Sequence, residues 1–213
     1  MLMAAQDAET GMGMSDTQLR DEAMTLFVAG HETTASHLAW TLWLLDQNRE
    51  WRTQLIEEVE TVLEGRTPTL ADLGRLTVTR QIVDESLRLF PPGWIFGRRA
   101  INDDKLLGYD VRAGTTIVMS PYVVQRRPDL WANASAFDPS RFAESAERHR
   151  FAYWPFGGGP RQCIGNQFAL MESTLTLAMI HQWFTVDIKE EAEPLPSLTL
   201  RPKNALTATL YKV

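Results

Sequence analysis

The sequence predicts a mainly α-helical fold with a small β-sheet, and three observations support this prediction. Helix start and stop signals bracket long segments between residues 15 and 89, and residues 167–184 carry apolar side chains at helical spacing. Between these segments, residues 96–119 contain short β-type runs separated by turn residues. Hydrophobic residues make up 44% and charged residues 23% of the 213 positions, which is typical of a globular domain.

The first part of the chain is predicted to be helical after a short irregular segment. Residues 1–14 are rich in Met, Ala and Gly without a pattern, so we expect a flexible lead-in. Ser15 and Gln18 form a capping-box pattern that begins a helix reaching about Asn48, roughly 50 Å long. The sequence then predicts a helix over residues 49–63 with Gly65 as its stop, a short turn over 68–73, and a helix over 78–89 that the pair Pro91-Pro92 ends.

The remaining chain is predicted to be mixed. Short strands are expected over residues 96–100, 109–111 and 115–119, separated by Asp103-Asp104, Gly108 and Gly114. Loops containing Pro121, Pro128, Pro139 and Pro155 follow. A last long helix is expected over residues 167–184, and residues 186–213 alternate enough to predict one or two hairpins.

Composition excludes several classes of protein. A single cysteine excludes a disulfide framework and any cysteine-built zinc site or iron–sulfur cluster within the chain. The formal net charge of −6 gives no support to nucleic-acid binding. We expect no transmembrane segment, since no run approaches the roughly 20 apolar residues needed to cross a bilayer. No signal peptide is visible, so a cytoplasmic setting is the default expectation.

The most informative stretch is residues 156–165, Phe-Gly-Gly-Gly-Pro-Arg-Gln-Cys-Ile-Gly. Its glycines let the backbone approach another group closely, and Pro160 stiffens the turn. Cys163 precedes the last helix, whose positive end favours a thiolate that acts as a ligand or a nucleophile. Arg161 is placed for a second anionic group. A small buried cysteine is the plainer alternative, and a cysteine hydrolase using one of the four histidines stays open at this point.

A second motif, residues 29–34, lies in the middle of the first long helix. Gly30 costs about 1 kcal/mol of helix stability relative to alanine, and the hydroxyls of Thr33 and Thr34 can bond to the preceding turn. Such a weak point suggests that a ligand crosses the helix here. Glu32 beside Thr33 suits proton delivery to that ligand, while a solvent-facing acid next to a back-bonded threonine is an equal alternative.

A third motif is the pair Glu85 and Arg88, which share one face of a helix because they are three residues apart. Taken alone, the pair favours an exposed ion pair worth a few tenths of a kcal/mol. Arg141, in the segment Pro139–Phe142, could dock on Glu85 and hold the middle of the chain against the helix.

Together, the order and spacing of these motifs resemble the cytochrome P-450 family of haem-thiolate monooxygenases from Leu19 onward. Residues 156–165 resemble the family's haem-binding loop, and residues 29–34 resemble its oxygen-activating segment. Residues 85–88 resemble its Glu-x-x-Arg pair, and residues 139–142 the segment that supplies the third member. The resemblance implies the C-terminal half of the family's fold, from the long distal helix to the terminal hairpins. Residues 15–213 would then be part of a single haem-binding domain whose N-terminal half is absent.

The resemblance also implies a role for individual residues. Cys163 would be the axial ligand of the iron of haem b, iron protoporphyrin IX. Thr33 and Glu32 would hold the water network that protonates iron-bound dioxygen, and Glu85, Arg88 and Arg141 would form a structural triad. The other cofactor-binding residues would be Phe156 beside the sulfur, Arg161 and Arg98 at the propionates, and the loop glycines Gly157, Gly159 and Gly165.

The function implied is insertion of one atom of dioxygen into an apolar small-molecule substrate. Electrons would come from a separate ferredoxin, flavodoxin or reductase that docks on residues 98–161, which carry a net charge of +3. Trp94, Ile95 and Phe96 follow the di-proline where the family's chain passes near the ligand. A thiolate-haem isomerase or dehydratase and an inactive truncated fragment are the alternatives. The chain departs from the family pattern in its length and in the segment 125–128, Gln-Arg-Arg-Pro, where a histidine-arginine pair is usual; we expect a local effect there.

Overall fold

The structure is a computed structural model that describes residues 2–143 and 148–213. The described residues are mainly helical, as predicted. The α-helices are α1 (Asp16–Gln47), α2 (Arg49–Leu63), α3 (Thr77–Leu89), α4 (Pro121–Val124) and α5 (Asn166–Trp183). Short 3-10 helices lie at Leu2–Ala4, Leu70–Asp72, Pro139–Phe142 and Gly159–Arg161.

In the described ranges the strands form four small antiparallel pairs. Their bounds are β1 (Phe96–Arg99), β2 (Asp104–Leu106), β3 (Tyr109–Val111), β4 (Thr116–Met119), β5 (Phe184–Ile188), β6 (Pro194–Pro196), β7 (Leu200–Pro202) and β8 (Ala208–Lys212). Strand β1 pairs with β4, β2 with β3, β5 with β8 and β6 with β7. The tail therefore contains two strand pairs, with the β6–β7 pair lying in sequence between β5 and β8.

Helix α1 begins as the capping-box pattern predicts. The Ser15 hydroxyl accepts from the Gln18 backbone N–H at 3.3 Å, and Gln18 Oε1 accepts from the Ser15 N–H at 3.0 Å. The helix continues through Gly30 without interruption for 32 residues, which is roughly 48 Å. Its first half is exposed and its second half is buried, so only the second half belongs to the core.

One hydrophobic core joins the second half of α1 to α2, α3 and α5. Trp40 of α1 is fully buried, and its ring stacks on Phe90 with ring centroids 3.9 Å apart. The buried members on the other helices are Leu55, Val59 and Leu63 of α2, Ile82, Val83, Leu87 and Leu89 of α3, and Leu170, Leu177 and Ala178 of α5. This core fixes the start of α5 and the middle of α1 relative to each other.

Some predicted boundaries and elements were wrong. Strand β2 was missed because Asp103-Asp104 was interpreted as a separator; the Asp103 carboxylate instead accepts from the Ala113 N–H at 2.7 Å and closes the hairpin. Leu107 and Gly108, at φ 51° and 88°, make its turn. Pro121 and Pro139 begin short helices within segments predicted to be loops, because proline suits the first helical position.

The lead-in also contains local structure. Residues 2–4 form a 3-10 turn, and Gln6 pairs with Gly13 through an isolated β-bridge, while Met1 lies outside the described residues. Most of these side chains are exposed. The small β-structure that the sequence predicts is present as the four strand pairs above.

Candidate functional site

The loop that carries the only cysteine is folded by its glycines. Gly157 and Gly159 adopt φ angles of 72° and 70°, in the left-handed region that strains other residues. A Cβ atom at Gly157 would lie 3.5 Å from Cζ of Phe96. The Cys163 backbone N–H donates to the Phe156 carbonyl at 2.9 Å, which closes the loop on itself. The backbone thus holds Cys163 in a fixed place just before α5.

The Cys163 side chain is exposed, so the alternative of a buried structural cysteine is wrong. Gly165 is the N-cap of α5, and a Cβ atom built there would lie 3.9 Å from the Cys163 sulfur. The sulfur therefore lies near the N-terminal, positive end of an 18-residue helix. Within the described residues no histidine is hydrogen-bonded to this sulfur, which removes the geometric basis for a cysteine–histidine hydrolase.

The two predicted anion-binding residues, Arg161 and Arg98, are both exposed. Arg161 ends the 3-10 turn of the cysteine loop, and Arg98 lies on β1 opposite Ile117. The Arg98 guanidinium donates to the Gly97 carbonyl at 2.8 Å. Among residues 2–143 and 148–213, neither arginine has a carboxylate within ion-pair distance, so both guanidinium groups can receive an external anion.

The Glu32–Thr33 segment is partly buried in the middle of α1. The Thr33 hydroxyl donates to the Ala29 carbonyl of the preceding turn, as its position in a helix predicts. Glu32 is not simply solvent-facing, because its Oε1 accepts from the Thr199 hydroxyl at 2.7 Å. The back-bonded threonine of the plainer alternative is therefore present, but the acid is half-buried and hydrogen-bonded, so the solvent-facing acid of that alternative is wrong. Sequence reasoning missed Thr199, since it lies 167 residues from Glu32 and belongs to no motif.

Thr199 belongs to the turn between β6 and β7, and that turn is tied to two other elements. The Trp40 indole of α1 donates to the Leu200 carbonyl at 3.0 Å, and the Leu200 N–H donates to the Pro92 carbonyl at 3.0 Å. The Trp94 indole donates to the Ser197 carbonyl at 2.9 Å. The tail turn thus contacts both the middle of α1 and the segment that leads into β1 and Arg98.

The structure brings Glu85, Arg88 and Arg141 together. Arg88 donates to both carboxylate oxygens of Glu85 at 2.6 and 2.7 Å, and both side chains are 0% exposed, so the predicted surface pair is in fact buried. Arg141 Nε lies 3.4 Å from Glu85 Oε1, and the Asp138 N–H donates to the same oxygen at 2.9 Å. Burial raises the pKa of the Glu85 carboxyl, and the bonds from Arg88 oppose this.

Gln125, in the segment 125–128 that departs from the family pattern, joins two parts of the chain. Its fully buried side-chain amide donates to the Leu87 and Arg88 carbonyls at 3.1 and 2.9 Å, and its Oε1 accepts from the Trp154 N–H at 2.8 Å. It therefore links the end of α3 to the segment just before the cysteine loop. The sequence indicated a departure at this position, and the residue's burial and contacts emerge only in the fold.

Comparison with known proteins identifies the family. The whole chain, residues 1–213, matches the sequence profile of the family described as Cytochrome P450. Cyclooctatin synthase of Streptomyces melanosporofaciens is 42% identical over 211 residues, which are 98% of this chain and 44% of that protein. Pentalenene oxygenase of Streptomyces avermitilis is 41% identical over 203 residues, 93% of this chain and 45% of that protein.

A further relative supports the same assignment. Cyclooctat-9-en-7-ol 5-monooxygenase of Streptomyces melanosporofaciens is 38% identical over 201 residues, 93% of this chain and 42% of that protein. The chain thus spans less than half the length of these curated relatives. Across residues 2–143 and 148–213, no helix combines the length and apolar character that a bilayer crossing requires. With a profile match over all its residues and relatives about 40% identical, the chain belongs to the cytochrome P450 family.

Proposed function

We propose that the chain is part of a haem-thiolate monooxygenase that oxidises an apolar organic substrate, with Cys163 as the ligand of the haem iron. The observation that carries this proposal is the exposed Cys163 sulfur, held by a glycine-built loop at the start of α5. Residues 15–213 would contribute one side of a single haem-binding domain. The family assignment supports the cofactor, and the residues present must fit it.

The donor set of the cysteine loop fits haem b. A thiolate at Cys163 is a known type of axial ligand for haem iron, and Arg98 and Arg161 offer two cations for two propionates. Gly157 and Gly159 carry no side chains, so the backbone of the loop can lie close to a flat group. When bound, haem supplies an iron centre at which dioxygen is activated. Gly165, two residues after the cysteine, is the N-cap of α5.

The protein's own residues would control protons and water around this centre. Phe156 is half-buried and its carbonyl accepts from the Cys163 N–H. By the family resemblance, its ring would pack beside the sulfur and restrict water there. The Thr33 hydroxyl donates a hydrogen bond to the Ala29 carbonyl and keeps lone pairs that can accept a hydrogen bond from water. Glu32 can take up and release a proton at its carboxylate, one residue away along α1. This pairing of acid and alcohol favours dioxygen activation over a peroxide rearrangement, which needs no such relay.

Substrate and partner follow from the surroundings of the site and from the relatives. Two reported relatives have oxygenase or monooxygenase in their names, and one name specifies pentalenene. We infer an apolar substrate for this chain as well, which would contact the exposed Ile95 and the half-buried Trp94 and Phe96 after the di-proline. A separate electron-donor protein with an acidic surface would dock on the basic segment 98–161.

The proposal is tested by the absorption spectrum of the haem-loaded protein after reduction and addition of carbon monoxide. We expect the Soret band typical of thiolate-ligated haem in the unaltered protein and in the control Gln162→Ser, which changes the exposed neighbour. Cys163→Ser should lose that band, since serine cannot supply the thiolate. A thiolate-type band that persists in Cys163→Ser, or is missing from the unaltered haem-loaded protein, would contradict the assignment.

A further inference from the structure

We propose that Thr199 is a positioning residue that orients the Glu32 carboxylate for proton transfer, an inference that rests on the proposed function and extends it by a residue from the tail of the chain. The Thr199 hydroxyl donates to Glu32 Oε1 at 2.7 Å. Thr199 is only 5% exposed, so water does not compete effectively for its hydroxyl. Across the described ranges 2–143 and 148–213, Thr199 is the only group that donates a hydrogen bond to this carboxylate.

The threonine is held in place by the backbone around it. Its neighbour Leu200 is bonded on both sides, with the N–H donating to the Pro92 carbonyl and the carbonyl accepting from the Trp40 indole. Trp40 is 0% exposed and lies two helical turns after Glu32 on α1. The Ser197 N–H donates to the Thr199 carbonyl at 3.2 Å and tightens the turn. The hydroxyl is therefore presented to Glu32 from a rigid support.

This contact has a direct consequence for Glu32. A glutamate side chain rotates about three bonds, and a half-buried one samples several orientations unless a partner selects one. A hydrogen bond from a buried hydroxyl to a charged carboxylate is stronger than one between neutral groups. Thr199 donates to Oε1, so Oε2 has no protein donor among the described residues and remains open to a water molecule. Loss of the hydroxyl would release the carboxylate toward solvent.

A double-mutant cycle tests the contact without haem or substrate. Glu32→Ala leaves the buried Thr199 hydroxyl without its acceptor, and Thr199→Val leaves the carboxylate without its donor. We expect each single change to lower the urea midpoint of unfolding. The midpoint of the double variant should be no lower than that of the less stable single variant. Thr174→Val is the matched control, because Thr174 is also buried but bonds to Leu170 of its own helix. Its effect should add to that of Glu32→Ala.

A second measurement reports orientation, which a merely space-filling threonine would not change. Carbodiimide coupling of glycine ethyl ester to Glu32, followed by peptide mass spectrometry, measures access to the carboxylate. We expect the coupling rate to rise several-fold in Thr199→Val and to stay near that of the unaltered protein in Thr199→Ser, which keeps the hydroxyl. Thr174→Val should leave the rate unchanged.

The outcomes separate this inference from the proposed function. Strict additivity of Glu32→Ala with Thr199→Val, or an unchanged coupling rate in Thr199→Val, would overturn the role of Thr199 whatever the haem spectrum shows. Absence of the thiolate-type Soret band would overturn the proposed function, while the unfolding cycle would still decide whether Thr199 holds Glu32. The inference is supported if the effects of Glu32→Ala and Thr199→Val on the urea midpoint are not additive and if Thr199→Val raises the rate at which Glu32 is labelled.

Discussion

Burial keeps the imidazole of His37 neutral, and at the scale of single residues this makes the fold sensitive to acid. His37 is 3% exposed, and burial lowers its pKa to about 3 from an ordinary value of 6.5. In the unfolded chain the imidazole of His37 takes up a proton below about pH 6.5. In the folded protein the same imidazole stays neutral until about pH 3. Between these values the unfolded state binds more protons, so stability falls as pH falls, by up to about 1.4 kcal/mol per pH unit.

We expect His37→Gln, which cannot titrate, to flatten this dependence. The measurement is the free energy of urea unfolding between pH 7 and pH 5. His31→Gln is the matched control, because His31 is exposed on the same helix and should leave the slope unchanged. Some slope should remain in His37→Gln, since burial also lowers the pKa of His181. Equal slopes for the unaltered protein and His37→Gln would show that His37 is not the group responsible.

Single residues also show what local sequence can reveal. The spacing of Glu85 and Arg88 predicted that they meet, because that contact is set by the helix itself. Their complete burial could not be predicted, since it depends on carbonyls from Gln125 and Ala134, which reach Arg88 at 2.8 Å only in the folded chain. For the same reason, the contact between Thr199 and Glu32 could not be predicted from the sequence. Contacts between distant segments follow from packing, and no local pattern encodes them.

At the scale of elements, Gly30 is the weak point of α1 and can be tested directly. A Cβ atom at Gly30 would meet nothing within 4 Å in the described part of the chain, so Gly30→Ala is sterically free there. We expect the haem-free protein to gain roughly 1 kcal/mol of local helix stability, seen as about fivefold slower amide exchange around residues 26–34. If α1 passes the cofactor at Gly30, as the proposed function requires, the added methyl group should weaken haem retention.

The control for this prediction is the reverse substitution, alanine to glycine, at another position of α1. Ala35→Gly, at an exposed position, should speed local amide exchange by a similar factor and leave haem retention unaffected. Slower exchange in Gly30→Ala with undiminished haem retention would indicate that the glycine is not kept free for a cofactor.

The boundaries of the long helices were predicted well, because caps and prolines act locally. Ser15 begins α1 as expected, and α3 ends at Leu89 before the di-proline. Short elements were predicted poorly. Strand β2 has only three exposed residues and is defined by pairing with β3, which a window of local sequence does not contain. The cysteine loop was identified from its residues, while its closing hydrogen bond from Cys163 to Phe156 depends on the folded backbone and could not be predicted.

At the scale of the whole molecule, the first half of α1 stands out because little packs on it. Residues 16–31 are exposed except for the half-buried Leu19. Met24 and Phe27 are 57% and 69% exposed, although apolar side chains of this size are normally covered. An unsupported helix of this length is marginal in water. The relatives are more than twice as long as the matched region, so they contain further chain that could cover such a surface.

Produced by itself, the 213-residue chain should therefore associate through this half of α1. We expect sedimentation velocity to show species larger than the monomer as concentration rises, and Met24→Glu/Phe27→Glu to shift the distribution back toward the monomer, because charge opposes burial of that face. Ile101→Glu is the matched control, since Ile101 is 89% exposed and belongs to the loop between β1 and β2, and it should leave association unchanged. A monomer at every concentration, or an equal response to Ile101→Glu, would mean that this half-helix is stable in water without a covering surface.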